Sequence, residues 1–191
     1  MQRQLTAFVE QPNKATYLAA RDAMLRDSPL PIAHADLADL ERLLDDQDHE
    51  AVQDRIDALP ASKVLAPRVH YLAAEAAEAL HDFETVELER SLFVLTLQGL
   101  LATGDGSPSN PYIVCHTTDE YDILAALGRD AAGQTLEQHG GKLLDVITCD
   151  DGREICFDVT AILVRPKPRK TAVRRRKMPR RMHLGRSRAA K

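Results

Sequence analysis

Residues 104 to 111 read Gly-Asp-Gly-Ser-Pro-Ser-Asn-Pro, and this stretch divides the sequence into two parts of different character. Nearly every residue in it favours turns, because glycine adopts backbone angles closed to other residues and proline ends helices and central strands. Apolar residues before it recur at helical spacing, whereas those after it favour short strands. We therefore predict a helical region over residues 1–103 and a small α/β module over residues 104–164.

Amphipathic helices are predicted throughout the first part. They span about Asn13–Arg26, Asp36–Leu44, Asp48–Leu59, Pro67–Leu80 and Glu84–Ala102. Asn13 is the expected N-cap of the first helix, and Pro67 suits a first helical turn because its missing N–H would be unpaired there. The fifth helix carries two apolar stripes, which places it in the middle of the bundle.

Two copies of the pattern Asp-x-Glu-x-Val begin at Asp48 and Asp82, at an offset of 34 residues. That offset is the tetratricopeptide period, and each copy falls at a predicted turn between two helices. The aromatic and glycine positions of such repeats are not filled, however, and two units are fewer than a stable solenoid usually needs. Two interpretations stay open: tetratricopeptide-like helical pairs, or an ordinary antiparallel helical bundle.

The second part predicts a β-α-β-β order, with one more short strand near Gln134–Glu137 as an open alternative. Its helix is expected over residues 118–127 and should end at Gly128. The last two strands should pair as a hairpin around residues 150–152, Asp-Asp-Gly. The expected strands are Tyr112–His116, Lys142–Cys149 and Glu154–Val164. The predicted fold class is thus α+β, with antiparallel helical pairs followed by this module.

Charge is distributed unevenly along the chain. All 29 acidic residues lie before residue 165, whereas 13 of the 25 Lys and Arg residues lie at or after it. Residues 1–164 therefore carry 12 basic and 29 acidic residues, a net −17, and residues 165–191 carry +13. A block of like charge without aromatic residues builds no core, so this tail is predicted to be disordered. Its candidate nucleic-acid contacts are Arg174, Arg175, Arg176, Lys177, Arg180 and Arg181.

Cysteine usage and hydropathy favour a reduced compartment. Cys115, Cys149 and Cys156 are odd in number and contain no C-x-x-C pair, so they are expected to be free, half-buried strand residues. The sequence contains no run of eighteen apolar residues and begins without a signal-peptide pattern. We therefore expect a cytoplasmic protein with no membrane partner.

Residue types that are often catalytic or metal-binding in other proteins are expected to have structural roles in this chain. Cys115, His116 and Asp119 resemble a nucleophile, base and orienting group. Adjacent strand residues point to opposite faces of a sheet, however, so the side chains of Cys115 and His116 cannot easily meet. The other histidines show no metal-ligand spacing on one helix, so surface or capping positions are expected for His34, His49, His70, His81, His139 and His183. The sequence therefore predicts no metal site, no cofactor and no enzymatic activity.

Local roles can also be assigned to three acidic residues. Gly104 is expected to end the fifth helix in a left-handed conformation while Asp105 caps the turn. Asp119 and Glu120 follow two threonines, which fits a capping box at the start of a helix. Tyr121 is expected to pack against the sheet.

An ordered set of motifs resembles a bacterial domain-of-unknown-function family, the one numbered 4919. The motifs are Gly104-Asp105-Gly106-Ser107, Pro111-Tyr112-Ile113-Val114, Asp119-Glu120-Tyr121-Asp122-Ile123-Leu124, Gly128, Gln134 and Phe157-Asp158-Val159-Thr160. The likeness covers roughly residues 33–160, and the basic tail is outside the family pattern. It implies tetratricopeptide-like helices before the α/β segment and a bacterial source, with no assigned activity. Its marked positions, of unknown role, are Gly104, Asp105, Gly106, Tyr112, Asp119, Glu120, Tyr121, Phe157 and Asp158.

Paired amphipathic helices without convergent catalytic groups predict a protein-interaction or scaffold module with an unidentified protein partner. The alternative function is sequence-nonspecific association with nucleic acid or another polyanion through residues 165–191.

Overall fold

The computed structural model describes residues 1–27 and 32–164 of the chain. These residues form eight α-helices, a short 3₁₀ helix over Ala61–Leu65 and a four-stranded sheet, so the predicted α+β class is confirmed. The helices are α1 Gln2–Glu10, α2 Lys14–Asp27, α3 His34–Asp45, α4 His49–Asp57, α5 Pro67–Ala79, α6 Phe83–Leu101, α7 Asp119–Ala126 and α8 Thr160–Leu163. The basic tail, residues 165–191, lies outside the described residues.

The first two helices form a hairpin of which the sequence predicts only the second member. The carboxamide oxygen of Asn13 accepts hydrogen bonds from the N–H groups of Ala15 (2.9 Å) and Thr16 (3.1 Å), which confirms the predicted N-cap of α2. Phe8 of α1 meets Tyr17 of α2 edge to face, with ring centroids 5.4 Å apart. Both rings are buried, so this contact fixes α1 against the body.

The repeated Asp-x-Glu-x-Val pattern forms the same structure twice. Asp48 caps α4 and Asp82 caps α6, each by accepting a hydrogen bond of 3.2 Å from the N–H three residues later. The residue before each aspartate, Gln47 or His81, has a left-handed backbone, with φ of 60° and 61°. The valine four residues after each aspartate is buried. The pattern that recurs after 34 residues therefore corresponds to a repeated helix-turn-helix corner, between α3 and α4 and between α5 and α6.

Helix α6 does not lie in the middle of the bundle, and that prediction is wrong. α5 packs along α6, and α2 and α7 contact α6 as well, but the described residues leave one face of α6 uncovered. Leu88 and Val94 are exposed on that face. Two apolar stripes on one helix do not specify that both will find a partner, because this depends on how many helices the chain places around it.

The sheet contains β1 Tyr112–Ile113, β2 Ala131–His139, β3 Lys142–Cys149 and β4 Glu154–Asp158 in the spatial order β1-β4-β3-β2. β1 runs parallel to β4, and the other neighbours are antiparallel. The predicted hairpin of β3 and β4 is confirmed, and so is a strand at 134–137, which is longer than expected. The module order is thus β-α-β-β-β rather than β-α-β-β.

Two predicted strands are shorter than expected for an identifiable reason. β1 ends at Ile113 rather than His116, because the N–H groups of Cys115 and His116 donate to the carboxylate of Asp119 instead of to a neighbouring strand. β4 ends at Asp158 rather than Val164, where the hydroxyl of Thr160 accepts the N–H of Leu143 and α8 begins. In both cases a side chain competes with the ladder for backbone groups.

The largest cluster of buried side chains includes residues from both sides of position 104. Tyr17 and Leu100 come from α2 and α6, and they join Val114, Ile147 and Phe157 from the second part of the chain. A second cluster lies among α3, α4 and α5. The helices therefore share a core with the inner face of the sheet, and α7 lies where the two parts meet.

Candidate functional site

Acidic side chains in the first turn of α7 are buried, which is unusual for carboxyl groups. Asp119 and Glu120 have no exposed surface, and Asp122 is 6% exposed. Asp145 of β3 is also buried and lies close enough to interact with Glu120. The start of α7 therefore brings several carboxyl groups into the interior between the helices and the sheet.

The predicted capping box at Asp119 and Glu120 is wrong. Thr118 occupies the N-cap position, and its side chain accepts no capping hydrogen bond. Instead, one oxygen of Asp119 accepts the N–H groups of Cys115 and His116, both at 2.9 Å. Asp119 therefore shapes the loop that precedes its helix rather than the first turn of the helix itself.

Burial controls the ionisation of Asp119. It raises the pKa of this carboxyl to about 7, against the opposing effects of the two N–H donors and of the Arg21 guanidinium. Arg21 is itself buried and donates from Nε to the carbonyl oxygen of Val114 at 2.9 Å. Burial also raises the pKa of Tyr17, whose hydroxyl makes no hydrogen bond within the described part of the chain.

Cys115 and His116 have the properties of structural groups. Burial, reinforced by the charge of Asp119, raises the pKa of the Cys115 thiol to about 12, so the thiolate is strongly disfavoured. The Nδ1 of His116 accepts the N–H of Ile32 at 3.0 Å, while Nε2 lies 3.2 Å from the carbonyl oxygen of Ser62. Burial lowers the pKa of His116 to about 4, so a neutral imidazole joins three chain segments.

Glu120 and Asp145 form a buried pair of acidic groups. Burial raises the pKa of Glu120 to about 9, and the negative charges of Asp145 and Asp119 add to this effect. Among the described residues, no donor of good geometry reaches either Glu120 oxygen. Asp145 in turn accepts from the amide of Gln134 at 2.5 Å. The raised pKa therefore favours the protonated form of Glu120 at neutral pH.

Arg68 and Asp122 join α5 to α7. Nε and Nη2 of Arg68 each lie 2.9 Å from Oδ1 of Asp122, and the backbone N–H of Arg68 donates to Oδ2 at 3.2 Å. Burial raises the pKa of Asp122 to about 6, although the charge of Arg68 opposes the shift. This forked contact holds the N-terminal end of α5 against α7.

A groove opens beside this ion pair, between α5, α6 and α7. Its volume is about 280 Å³. The rings of Tyr71 and Phe93 lie 6.0 Å apart in it, and the Arg68 guanidinium lies 6.0 Å from the Tyr71 ring. The lining residues are Arg68, Tyr71, Phe93, Leu97, Asp122, Ala125 and Ala126. An aromatic and aliphatic surface beside one ion pair suits an apolar side chain with a polar neighbour.

Of the positions marked by the family resemblance, the structure brings together those of the turn and the strands. Tyr112 pairs with Phe157 across β1 and β4, with ring centroids 6.0 Å apart. Gly106 has φ of +79°, and a Cβ there would lie 3.0 Å from Tyr112. Asp105 accepts the N–H of Ser107 at 2.9 Å, as the predicted turn cap requires. These residues anchor the turn to the sheet.

The remaining marked positions lie apart from the groove. Asp158 accepts the N–H of Thr160 and lies 3.1 Å from the ammonium of Lys142. Tyr121 is exposed rather than packed on the sheet, and its hydroxyl donates to Gln134 at 3.4 Å. Gly104 is not left-handed, so that expectation is wrong; the left-handed glycine of the turn is Gly106.

Other expectations for polar residues also need correction. All three cysteines are free and buried rather than half-buried, and Cys115 lies outside the strands. His70 is buried, with Nδ1 2.6 Å from a carboxylate oxygen of Glu89, rather than at the surface. The candidate nucleic-acid contacts lie outside the described residues: Arg174, Arg175, Arg176, Lys177, Arg180 and Arg181.

Sequence reasoning missed the residues that build this region around α7. Arg21, Arg68 and Asp145 were not singled out, because each interacts with a partner that is distant in the sequence. Arg21 and Asp145 are buried, and Arg68 is half-buried. One available signal was Asp145 itself, which interrupts the apolar run of β3 on the face that carries Leu143 and Ile147. A charge at a core-facing strand position indicates a buried polar partner.

The chain was compared with protein-family models, with curated proteins and with solved structures, and no match was found in any of them. The resemblance to family 4919 therefore stays a prediction. Within residues 1–27 and 32–164, no helix has the length and apolarity needed to cross a bilayer. The same residues contain no group of three or more His, Cys, Asp or Glu side chains arranged to hold a metal ion.

Proposed function

We propose that this chain is a non-enzymatic protein-interaction module whose groove between α5, α6 and α7 binds a segment of a partner protein. The observation that carries this proposal is the pairing of Tyr71 with Phe93 beside the Arg68–Asp122 ion pair. Tyr71 is exposed and Phe93 is half-buried, and an accessible aromatic side chain beside an arginine is typical of binding hot spots. The bound segment contributes an apolar anchor to the groove.

The charge of the surrounding surface specifies the flanks of that segment. Residues 1–164 carry a net −17, so a partner with Lys or Arg beside its apolar anchor is favoured over an acidic one. Helices α3 to α6, with their repeated corners, form the rigid support of the groove. In this proposal they are tetratricopeptide-like pairs, and the protein acts as a scaffold in a bacterial cytoplasm.

Selection of peptides from a random displayed library on the full chain tests the groove. We expect the selected peptides to share an apolar residue flanked by Lys or Arg. Tyr71→Ala should weaken their binding by about tenfold or more, because loss of a hot-spot aromatic costs at least about 1.4 kcal/mol. Affinities are measured by fluorescence anisotropy with labelled synthetic peptides.

Tyr121→Ala is the matched control for this experiment. Tyr121 and Tyr71 are both 44% exposed, but Tyr121 does not line the groove. Its replacement should leave the affinities unchanged. The proposal is wrong if no consensus is selected, or if the two tyrosine variants weaken binding equally.

A second candidate function rests on the segregation of charge in the sequence. We propose as the alternative that residues 165–191, with a charge of +13, associate with nucleic acid without sequence preference. The tail contains no aromatic side chain, which argues against stacking on unpaired bases. The acidic remainder of the chain then keeps bound molecules from aggregating.

Salt dependence tests this alternative. We expect the full chain to bind labelled duplex DNA with a log–log salt slope of about −5 if six tail cations contact phosphates. Replacing Arg174, Arg175, Arg176, Lys177, Arg180 and Arg181 together by Gln lowers the charge of the tail from +13 to +7, and it should make the slope clearly shallower and weaken the binding. Anisotropy titrations across roughly 50–300 mM salt measure both slopes. Absence of binding by the unmodified chain at the lowest salt would eliminate the alternative.

A further inference from the structure

The strand β2 differs from the other strands because all nine of its residues are exposed. It lies at one end of the sheet order, and no described strand pairs with its outer edge. Natural edge strands are usually protected by lysine, proline or short length. β2 contains no Lys, Arg or Pro, and its one acidic residue is Glu137. A β-bulge interrupts the register between Ala131 and Gly133. Beyond it, residues 134–139 form an outer edge that no described strand covers.

The turn that follows β2 determines which backbone groups face outward. Gly140 and Gly141 have φ of 58° and 83°, as a two-residue hairpin turn requires, and His139 pairs with Lys142. Residues that flank such a turn exchange hydrogen bonds with each other, and the direction alternates along the strand. The N–H and C=O groups that point away from β3 therefore belong to Gln134, Leu136 and Gln138.

We propose that β2 is a homodimer interface, at which the same strand of a second copy of this chain pairs antiparallel with its outer edge. The two-fold axis passes beside Leu136, so Leu136 lies opposite its own counterpart and Gln134 lies opposite Gln138 of the second copy. On the other face of the sheet, Glu137 lies opposite Thr135. The strand is self-complementary in this register, since no pair brings like charges together.

The distribution of charge favours β2, over other surfaces of residues 1–164, as the place where a second copy binds. Residues 1–164 carry a net −17, so two copies repel each other at most surfaces, whereas β2 carries a single acidic residue. Leu136 is 56% exposed, and the exposed Tyr121 of α7 reaches Gln134 beside it. Apolar contact at the axis therefore adds to the backbone hydrogen bonds, and the small area makes the dimer weak.

Sedimentation velocity of the full chain across about 5–500 µM tests the proposal, a range suited to a micromolar dissociation constant. We expect a reversible monomer–dimer equilibrium. Leu136→Lys places two like charges at the axis and should raise the dissociation constant by about tenfold or more. Leu88→Lys on α6 is the matched control, because Leu88 is also 56% exposed, and it should leave the equilibrium unchanged.

Salt dependence distinguishes a dimer formed through β2 from a dimer in which the basic tail of each copy binds the acidic residues 1–164 of the other copy. Pairing through β2 should be unchanged or stronger in about 0.5 M NaCl, since salt screens the repulsion between the acidic residues 1–164 of the two copies. Tail exchange should weaken steeply under the same condition. A monomer at all concentrations, an equal effect of the two lysine variants, or a salt-sensitive dimer that Leu136→Lys does not affect each overturns the proposal.

Discussion

Glu120→Gln is expected to raise the free energy of unfolding at pH 8 by about 2–4 kcal/mol. Glu120 has no exposed surface, and burial beside Asp145 raises its pKa from 4.5 to about 9. The folded chain must therefore hold a proton that an unfolded chain releases at this pH. The neutral amide of Gln can donate to Asp145 without taking up a proton. The folded state of the variant is therefore free of the free-energy cost of protonating Glu120 at pH 8.

The sign of the pH dependence follows from the same shift. Between pH 4.5 and pH 9 the folded state binds more protons at Glu120 than the unfolded state does, so stability falls as pH rises through this window. Asp119, with a pKa of about 7 in place of 3.8, acts in the same direction at lower pH. The difference between Glu120→Gln and the unmodified chain should be largest near pH 8–9 and vanish near pH 4.5.

Urea unfolding followed by circular dichroism at several pH values measures this difference. Glu87→Gln is the control, because Glu87 is an exposed carboxylate on α6. Its replacement should change stability by less than about 0.5 kcal/mol at any of these pH values. Destabilisation of the chain by Glu120→Gln at pH 8 would show that Glu120 is ionised and stabilised by a donor.

Gly104→Ala is expected to destabilise the fold by about 3 kcal/mol, near the upper end for an overpacked site. A Cβ at this position would lie 2.3 Å from the carbonyl oxygen of Pro111 and 2.5 Å from that of Asn110. Both atoms are backbone, and the second accepts the N–H of Asp105 at 2.9 Å. The turn cannot make room without breaking that bond and moving β1.

Gly133→Ala is the matched control for the turn. Gly133 lies on exposed β2, and the nearest atom to its Cβ would be 4.0 Å away, at Thr148. Neither glycine has a positive φ, so the comparison isolates the effect of space from that of backbone conformation. Urea midpoints for the two variants provide the measurement. Equal loss of stability would mean that close approach is not what position 104 requires.

Much of the helical region could be predicted from local signals. Asn13 was the predicted N-cap of its helix and is one in the structure. Asp48 and Asp82 were placed at turns between helices, and the structure shows that each also caps the helix that follows. Such positions can be predicted because a short side chain next to its own backbone needs no distant partner. Helix α1 was not predicted, because it is short and polar and its one buried residue is Phe8. Its position depends on contact with Tyr17 rather than on its own pattern.

The candidate site was predicted less well than the fold. Asp119 and Glu120 were singled out, but their expected role in a capping box placed them at the surface. Whether a carboxyl group caps a helix or becomes buried depends on what packs over it. Here that is the sheet, with Asp145, and α2, with Arg21.

The sequence by itself determined the α+β class, the change from helices to strands after residue 104, the two repeated corners and the charge asymmetry, because each arises from residues close together in the chain. Tertiary structure alone decided that Arg68 reaches Asp122 across 54 positions, that Glu120 faces Asp145, and that β2 remains exposed. The physical reason is that burial and ionisation depend on the surrounding atoms, and those atoms come from segments whose proximity no local pattern encodes.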